Sequence, residues 1–208
     1  MNLRSVILVI LLAATIAACT DDVDVKRDEL DTLLKLLPGE YAGMAELRKG
    51  ESAPVVHKIA AVDLPQFGPH VLYYQLGQDG GPALQQKVFV LDRDAAGLPI
   101  RMRAYYAAPG KIAANFEQRP ADWASLDPAS LMAFPDSCAF RWRADGAGFT
   151  GVVARETCQY DSPGFRQLVQ PEMQYRVTDE TFEWTETLYG ADGTPLATTG
   201  GNLIAYRR

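Results

Sequence analysis

The sequence predicts an all-β protein whose strands form one antiparallel barrel or sandwich of about ten strands, after one short helix. Short runs of alternating residues recur along the chain, separated by turns rich in Gly, Asp and Pro. A late run carries Glu186 on the same face as Phe182, Trp184 and Leu188. A solid core does not readily accept a carboxylate, so this face favours a barrel with a wet or ligand-lined interior. The alternative is that Glu186 lies at the rim.

Length and charge limit the function classes. The chain has 208 residues, 20 basic and 26 acidic, with a net charge of −6. This length suits one domain with a sizeable core. Nucleic-acid binding requires a basic patch, and the acidic balance argues against it. The basic residues are scattered, so no polybasic run is present to hold anionic lipid.

The first 18 residues have the pattern of an export signal. Arg4 gives a positive start, residues 6–14 are apolar, and residues 16–18 are small or apolar as before a cleavage site. The apolar run is short for a membrane span. Residues 1–18 are therefore predicted to be a signal peptide, and Cys19 follows them directly.

This start resembles a bacterial lipoprotein signal, in which a cysteine is lipidated and becomes the first residue of the mature protein. The resemblance implies that Cys19 is lipidated and that its acyl chains anchor the protein to a membrane, which is the predicted partner. Thr20 at the next position resembles the sorting signal for the outer membrane, with the domain facing the periplasm. An ordinary secretory signal is the alternative. Residues 19–27 are polar and predict a tether to the domain at 28–208.

The domain begins with a predicted helix at residues 28–37, because leucines recur there at helical spacing until Pro38 and Gly39. Strands are then predicted at 41–48, 55–64, 70–76, 84–93, 99–107, in two arms around 145–148, and at 166–178, 182–189 and 196–206. The run 166–178 is one bent strand or two, with the break at Pro171. Residues 113–134 predict an irregular segment with one or two short helical turns.

Two cysteines flank the hairpin around residues 145–148. Folding back at its glycines brings Cys138 and Cys158 level, and an oxidising compartment favours a disulfide between them. The chain-entropy model gives such a bond roughly 3 kcal/mol of stabilisation. Two buried free thiols are the alternative.

Familiar catalytic motifs receive little support. The spacing Gly146-x-Gly148-x-x-Gly151 matches a dinucleotide fingerprint by letter, but a strand follows it where that fingerprint needs a helix. His57 and His70 are the only histidines. They have no partners at ligand spacing, so no metal is predicted. No cofactor is required by any motif, and the catalytic residues are unknown.

Basic residues on two neighbouring strands predict a ligand contact. Gln85, Lys87 and Phe89 share one face of their strand, and Arg103 and Tyr105 share a face of the next. Lys87 and Arg103 can bind a ligand carboxylate if both point inward. A cationic outer surface is the alternative.

These features together resemble the CpcT/CpeT chromophore lyase family over residues 29–208. The matching elements are Gly39-x-Tyr41 after a leucine-rich helix, Leu72-Tyr73-Tyr74-Gln75, Gln86-Lys87-Val88-Phe89, Cys138 with Phe149-x-Gly151 and Cys158, and a Gly190-x-Asp192-Gly193 turn before Tyr206-Arg207-Arg208. The resemblance implies a calycin or lipocalin-like barrel that binds a linear tetrapyrrole (a bilin). It also implies attachment of the bilin to a cysteine of an acceptor protein.

One strand departs from the family, which has Tyr-Arg-x-Arg where this chain has Leu84, Gln85 and Lys87. The first hypothesis is therefore an envelope lipoprotein that binds a tetrapyrrole-like or other hydrophobic ligand without ligation. A genuine bilin lyase is the second. The third is a structural or interaction lipoprotein with a filled barrel. The candidate ligand-binding residues are Tyr74, Gln85, Lys87, Arg103, Tyr105, Trp142, Trp184 and Glu186.

Overall fold

A computed structural model describes residues 29–48, 51–93, 99–162 and 164–208. These residues form helix α1 at 29–36 and a sheet of twelve antiparallel strands. In chain order the strands are β1 Gly39–Arg48, β2 Glu51–Ala61, β3 Val71–Gln78, β4 Ala83–Arg93, β5 Ile100–Tyr106, β6 Met132–Ala133, β7 Phe140–Asp145, β8 Gly148–Val153, β9 Tyr160–Ser162, β10 Gln167–Val177, β11 Thr181–Gly190 and β12 Pro195–Arg207.

Ten of the strands close into a barrel. Around the ring they run β1, β2, β3, β4, β5, β7, β8, β10, β11 and β12, and β12 pairs with β1 to complete it. Strand β6 adds to β5, and β9 adds to β10. The predicted fold class, an antiparallel barrel after a short helix, is confirmed.

The interior is tightly packed at the end where β1 begins and β12 ends, which we call the packed end. Residues opposite each other on antiparallel strands point to the same face. The inward-facing side chains of this end include Leu72, Phe89, Leu91, Ile100, Phe149, Val177 and Phe182, and all are buried. These buried side chains form an apolar core at this end, so any binding site in the interior lies toward the opposite end.

A second apolar core covers the outside of β3 and β4. Tyr73, Val88 and Val90 point away from the interior and are nonetheless buried. The connection between β5 and β6 covers them with short helical turns at Phe116–Gln118 and Pro128–Ser130 and with helix α2, Pro120–Trp123. The predicted irregular segment is thus present, with three short helical elements and strand β6 where one or two helical turns were predicted. Burial on both faces explains why the tyrosine and valine runs of these strands show little alternation.

Helix α1 lies within the predicted span and ends before Pro38, which cannot continue it. The predicted signal peptide, the lipidated Cys19 and the tether lie outside the described residues, so they stay predictions. Among the described residues, no helix has the length and apolar character needed to cross a membrane.

The glycine-rich stretch forms the turn between β7 and β8, as the hairpin interpretation predicts. Gly146 has a φ of 60°, in the left-handed region that glycine adopts without steric penalty. Gly151 lies against the ring of Trp142, and an added Cβ would lie 2.5 Å from Cε2. The glycines therefore serve a turn and a close packing contact.

Cys138 and Cys158 lie just outside the two arms of this hairpin. Cys138 ends a short helical turn, Asp136–Cys138, and Cys158 follows the turn after β8. Their Cα atoms are 4.5 Å apart, with the sulfur atoms at bonding distance. The geometry therefore permits the predicted disulfide.

Strand β10 is continuous through Pro171, so the interpretation of the run as one strand is the right one. Residues 167–169 pair with β9 on one edge, and residues 173–177 pair with β8 on the same edge. Pro171 lies in the interval between these two ladders, where its missing N–H removes no bond.

Arg207 fastens the join between β12 and β1. Its guanidinium donates to the backbone oxygens of Leu36, Pro38 and Asp179 at 2.6–2.7 Å. It also donates to the hydroxyl of Tyr41 at 2.6 Å. The guanidinium lies 4.8 Å from the centre of the Tyr41 ring. The last strand thus binds the first through a side chain as well as through the ladder.

Candidate functional site in the barrel interior

Six of the eight candidate ligand-binding residues point into the barrel. Tyr74 is opposite Lys87, and Gln85 is opposite Leu76, on the shared inner face of β3 and β4. The other inward-facing candidates are Trp142 opposite Gly151, Trp184 opposite Tyr175, and Glu186 opposite Met173. The structure therefore brings these six together inside one enclosure.

Arg103 and Tyr105 point outward, and this corrects the expectation that Lys87 and Arg103 share a face. The register sets Lys87 opposite Tyr106, so alternate residues of β5 face the other way. Arg103 lies 3.1 Å from the carboxylate of Asp92, and Tyr105 packs on Phe67. Neither side chain contributes to the interior.

An aromatic cluster occupies the middle of the barrel. Its members are His57, Phe140, Trp142, Tyr175, Phe182 and Trp184, all of them buried. Ring centroids lie 4.4 Å apart for Phe140 and Tyr175, and 5.4 Å apart for Tyr175 and Phe182. The cluster forms an apolar floor above the packed end.

His57 is a neutral member of this cluster. Its Nδ1 lies 2.9 Å from the hydroxyl of Tyr74, and its ring centre lies 3.8 Å from that of Trp184. Burial, and secondarily the charge of Lys87, lower the pKa of His57 to about 3. The imidazole is therefore uncharged at neutral pH.

Lys87 is the one fully buried lysine among the described residues, with 1% of its surface exposed. Its Nζ donates to the hydroxyl of Tyr175 at 3.3 Å. It lies 4.4 Å from the ring centre of Tyr106 and 5.3 Å from that of Tyr74. Burial lowers the pKa of Lys87 to about 8, while the charge of Glu186 acts in the opposite direction. Aromatic rings and a phenol thus surround an amine that loses its proton far more readily than an exposed one.

The interior opens to water at the end where β3 meets β4, which we call the open end. Five side chains there face inward and remain partly exposed: Leu76, Gln85, Tyr106, Glu186 and Leu188. Since these side chains face inward and lie near this end of the described strands, their exposed surface indicates an opening here. We call the space that they line the recess. Lys87 lies beneath it, in contact with the ring of Tyr106.

Two further aromatic residues extend one wall of the recess. Phe134 lies 4.5 Å from Tyr106, and Tyr160 lies 4.5 Å from Phe134, between ring centres. They stand near Cys138 and Cys158 in the chain. The cysteine pair therefore ties together the two segments that carry this wall.

The phenols around the recess stay protonated at neutral pH. Burial raises the pKa of Tyr160 to about 12, with a further rise from the charge of Glu186. Burial likewise raises the pKa of Tyr74, Tyr106 and Tyr175, and Glu186 contributes to each. Each hydroxyl can therefore both donate and accept a hydrogen bond.

His57, Tyr106 and Tyr175 complete the site, and the sequence analysis did not select them. His57 shares a face with the apolar Val55 and Ile59, which was a signal that it points inward. Tyr106 could not be separated from Tyr105, because the parity of β5 depends on its register with β4.

Two surface clefts in the described part of the chain lie away from these residues. One cleft of about 670 Å³ is lined by residues around Pro65 and Trp123, and another of the same volume by Arg143 and Val152 on the outer face of β7 and β8. In the described part of the chain, no three His, Cys, Asp or Glu side chains are grouped as metal ligands.

Comparison with known proteins gives a likeness of fold. No family model and no curated protein matches the sequence. A solved structure of the CRL protein of Arabidopsis, in its selenomethionine form, matches with a TM-score of 0.63 and 12% sequence identity. The match covers 88% of this chain and 98% of that one. It supports the barrel fold, and at this identity it shows the fold alone.

Proposed function

We propose that the protein binds a hydrophobic ligand, tetrapyrrole-like or similar in its flat apolar surface, in the recess. The observation that carries this proposal is a partly exposed carboxylate, Glu186, on the inner face of a closed barrel above a fully buried lysine, Lys87. A barrel needed only for structure would fill this end with apolar side chains.

The chemistry of the lining suits such a ligand. Leu76, Leu188 and the aromatic wall offer apolar surface, and Gln85 and Glu186 offer polar groups at defined positions. Small-molecule sites typically combine a mostly apolar lining with a few polar groups that fix orientation. Rings such as those of Tyr106 and Phe134 stack on flat conjugated molecules.

We propose binding without transfer of the ligand to another protein. The strand that carries the family's arginines has Gln85 and Lys87 instead. A lysine cannot reproduce the two parallel hydrogen bonds that arginine makes with a propionate. A genuine lyase would give a chromophore-bearing acceptor protein after denaturation, and this is the assay that separates the two functions.

We further propose that the protein acts in a bacterial envelope, held to the outer membrane through lipid on Cys19. The support is the order of charged, apolar and small residues before Cys19. Mass spectrometry of the mature N-terminus and membrane fractionation test this point. An unlipidated protein in the soluble fraction would contradict it.

Ligand binding is tested by titrating residues 20–208 with biliverdin and with fatty acids, following absorbance and tyrosine and tryptophan fluorescence. We expect a saturable change with one ligand per chain. Leu188→Glu should weaken binding about tenfold or more, because it adds a charge to the lining. Leu84→Glu is the matched control, since Leu84 is exposed and outside the recess. If no ligand changes either signal, a filled structural barrel is the better description.

A further inference from the structure

We propose that Lys87 forms an imine with a lipophilic aldehyde or ketone held in the recess. The inference rests on the proposed ligand-binding function and names a ligand class for it: an apolar chain or ring system that ends in a carbonyl group.

The surroundings of Lys87 differ from those of a structural lysine. Lys58, for comparison, lies 3.1 Å from Glu40 and 3.2 Å from Glu117, which hold its charge. Lys87 forms no ion pair with a described carboxylate. Its Nζ has a phenol oxygen at 3.3 Å and aromatic rings around it. Such surroundings favour the neutral amine, which is the nucleophilic form.

The amine lies one side chain below the space that a ligand would occupy. Tyr106 faces the interior and is partly exposed, and its ring centre lies 4.4 Å from Nζ. For a carbonyl group at the head of an apolar ligand to reach Lys87, the ring of Tyr106 would have to move aside. The apolar remainder would lie along Phe134 and Leu188.

The reaction balances without an added reagent. The free amine adds to the carbonyl carbon, and a proton moves from nitrogen to oxygen to give a carbinolamine. Loss of one water then leaves a C=N bond in place of C=O. The phenol of Tyr175, which accepts a hydrogen bond from Nζ, can relay the proton. Once the imine is protonated, the negative charge of the Glu186 carboxylate stabilises it.

The groups that act on Lys87 set the pH at which it reacts. His57, Tyr74, Tyr106 and Tyr175 surround it as neutral groups, and Glu186 carries the negative charge. Burial outweighs that charge, so the pKa of Lys87 is lowered to about 8. At pH 8 the neutral fraction of Lys87 is on the order of a hundredfold larger than that of an exposed lysine.

The test uses all-trans-retinal as the probe aldehyde and all-trans-retinol as its unreactive analogue. The full-length protein in mild detergent is incubated with retinal at pH 8, reduced with cyanoborohydride and mapped by peptide mass spectrometry. We expect a reduced adduct at Lys87 at least about tenfold more abundant than at the exposed Lys111. The map is read on the unaltered protein, so it does not depend on the folding of a variant.

Variants sharpen the result. Lys87→Met should lose the adduct, whereas Lys111→Met should keep both the adduct and the binding of retinol. If retinol binds but retinal labels Lys87 no more than Lys111, the imine inference is wrong and ligand binding stands. If retinol, retinal, bilins and fatty acids all fail to bind, the proposed function fails and the inference fails with it.

Discussion

At the scale of single residues, His57 and Lys87 determine the character of the interior. Both are basic side chains buried with no described carboxylate paired to them, and burial lowers the pKa of each. A buried base whose pKa is lowered makes folding less favourable at any pH where the unfolded chain binds the proton and the native protein does not. This penalty arises at two inward positions that both contact Tyr74, which is expected of a functional site.

The pH dependence of stability should reveal His57. Between pH 6.5 and pH 3 the unfolded chain binds a proton at this residue and the native protein does not, so stability falls as pH falls by up to about 1.4 kcal/mol per unit. His57→Gln removes this titration. The stability advantage of the unaltered protein over the variant should therefore shrink by about 2–3 kcal/mol from pH 6.5 to pH 4.

Urea unfolding at a series of pH values measures this difference. Titrating carboxylates are common to both proteins and cancel in the comparison. Parallel curves for the two proteins would contradict a buried neutral imidazole at this position.

At the scale of elements, the cysteine pair joins the hairpin of β7 and β8 to the wall of the recess. Replacing both Cys138 and Cys158 with Ala should lower the free energy of unfolding by about 3 kcal/mol, because the bond closes a loop of 20 residues in the unfolded chain. Thiol labelling of the unaltered protein checks the redox state. Rapid labelling of both cysteines after denaturation without reductant would contradict the bond.

Prediction from the sequence succeeded for individual secondary-structure elements and failed for the pairing between them. Local residue patterns predicted the hairpin turn, the cysteine pair and the leucine helix, because each depends on residues close together in the chain. The face on which Arg103 lies could not be predicted in this way, because it depends on the register in which β5 pairs with β4. The neighbours of Glu186 on β11 predicted that it faces inward. That it shares the interior with Lys87 could not be predicted, because this depends on how the strands close into a ring.

At the scale of the whole molecule, Arg207 helps to close the barrel. Arg207→Ala removes four side-chain hydrogen bonds at 2.6–2.7 Å and a contact with the ring of Tyr41. We expect a loss of about 2–4 kcal/mol in the free energy of unfolding. Arg208→Ala is the matched control, since Arg208 pairs with Asp79 on an exposed surface and its loss should lower the free energy of unfolding much less.

Thermal and urea unfolding of the two variants gives this comparison directly. Equal losses for Arg207→Ala and Arg208→Ala would show that the seam between β12 and β1 depends on the backbone ladder alone.

The pairing of the first strand with the last has a kinetic consequence. While the polypeptide is being synthesised, β1 emerges before the other strands and its partner β12 emerges after them, so this edge of β1 stays unpaired during most of the synthesis of the domain. Contacts between residues so distant in sequence form slowly. An uncovered edge invites strands from other chains. A folding helper that shields this edge until the C-terminal strand arrives would raise the yield of native protein.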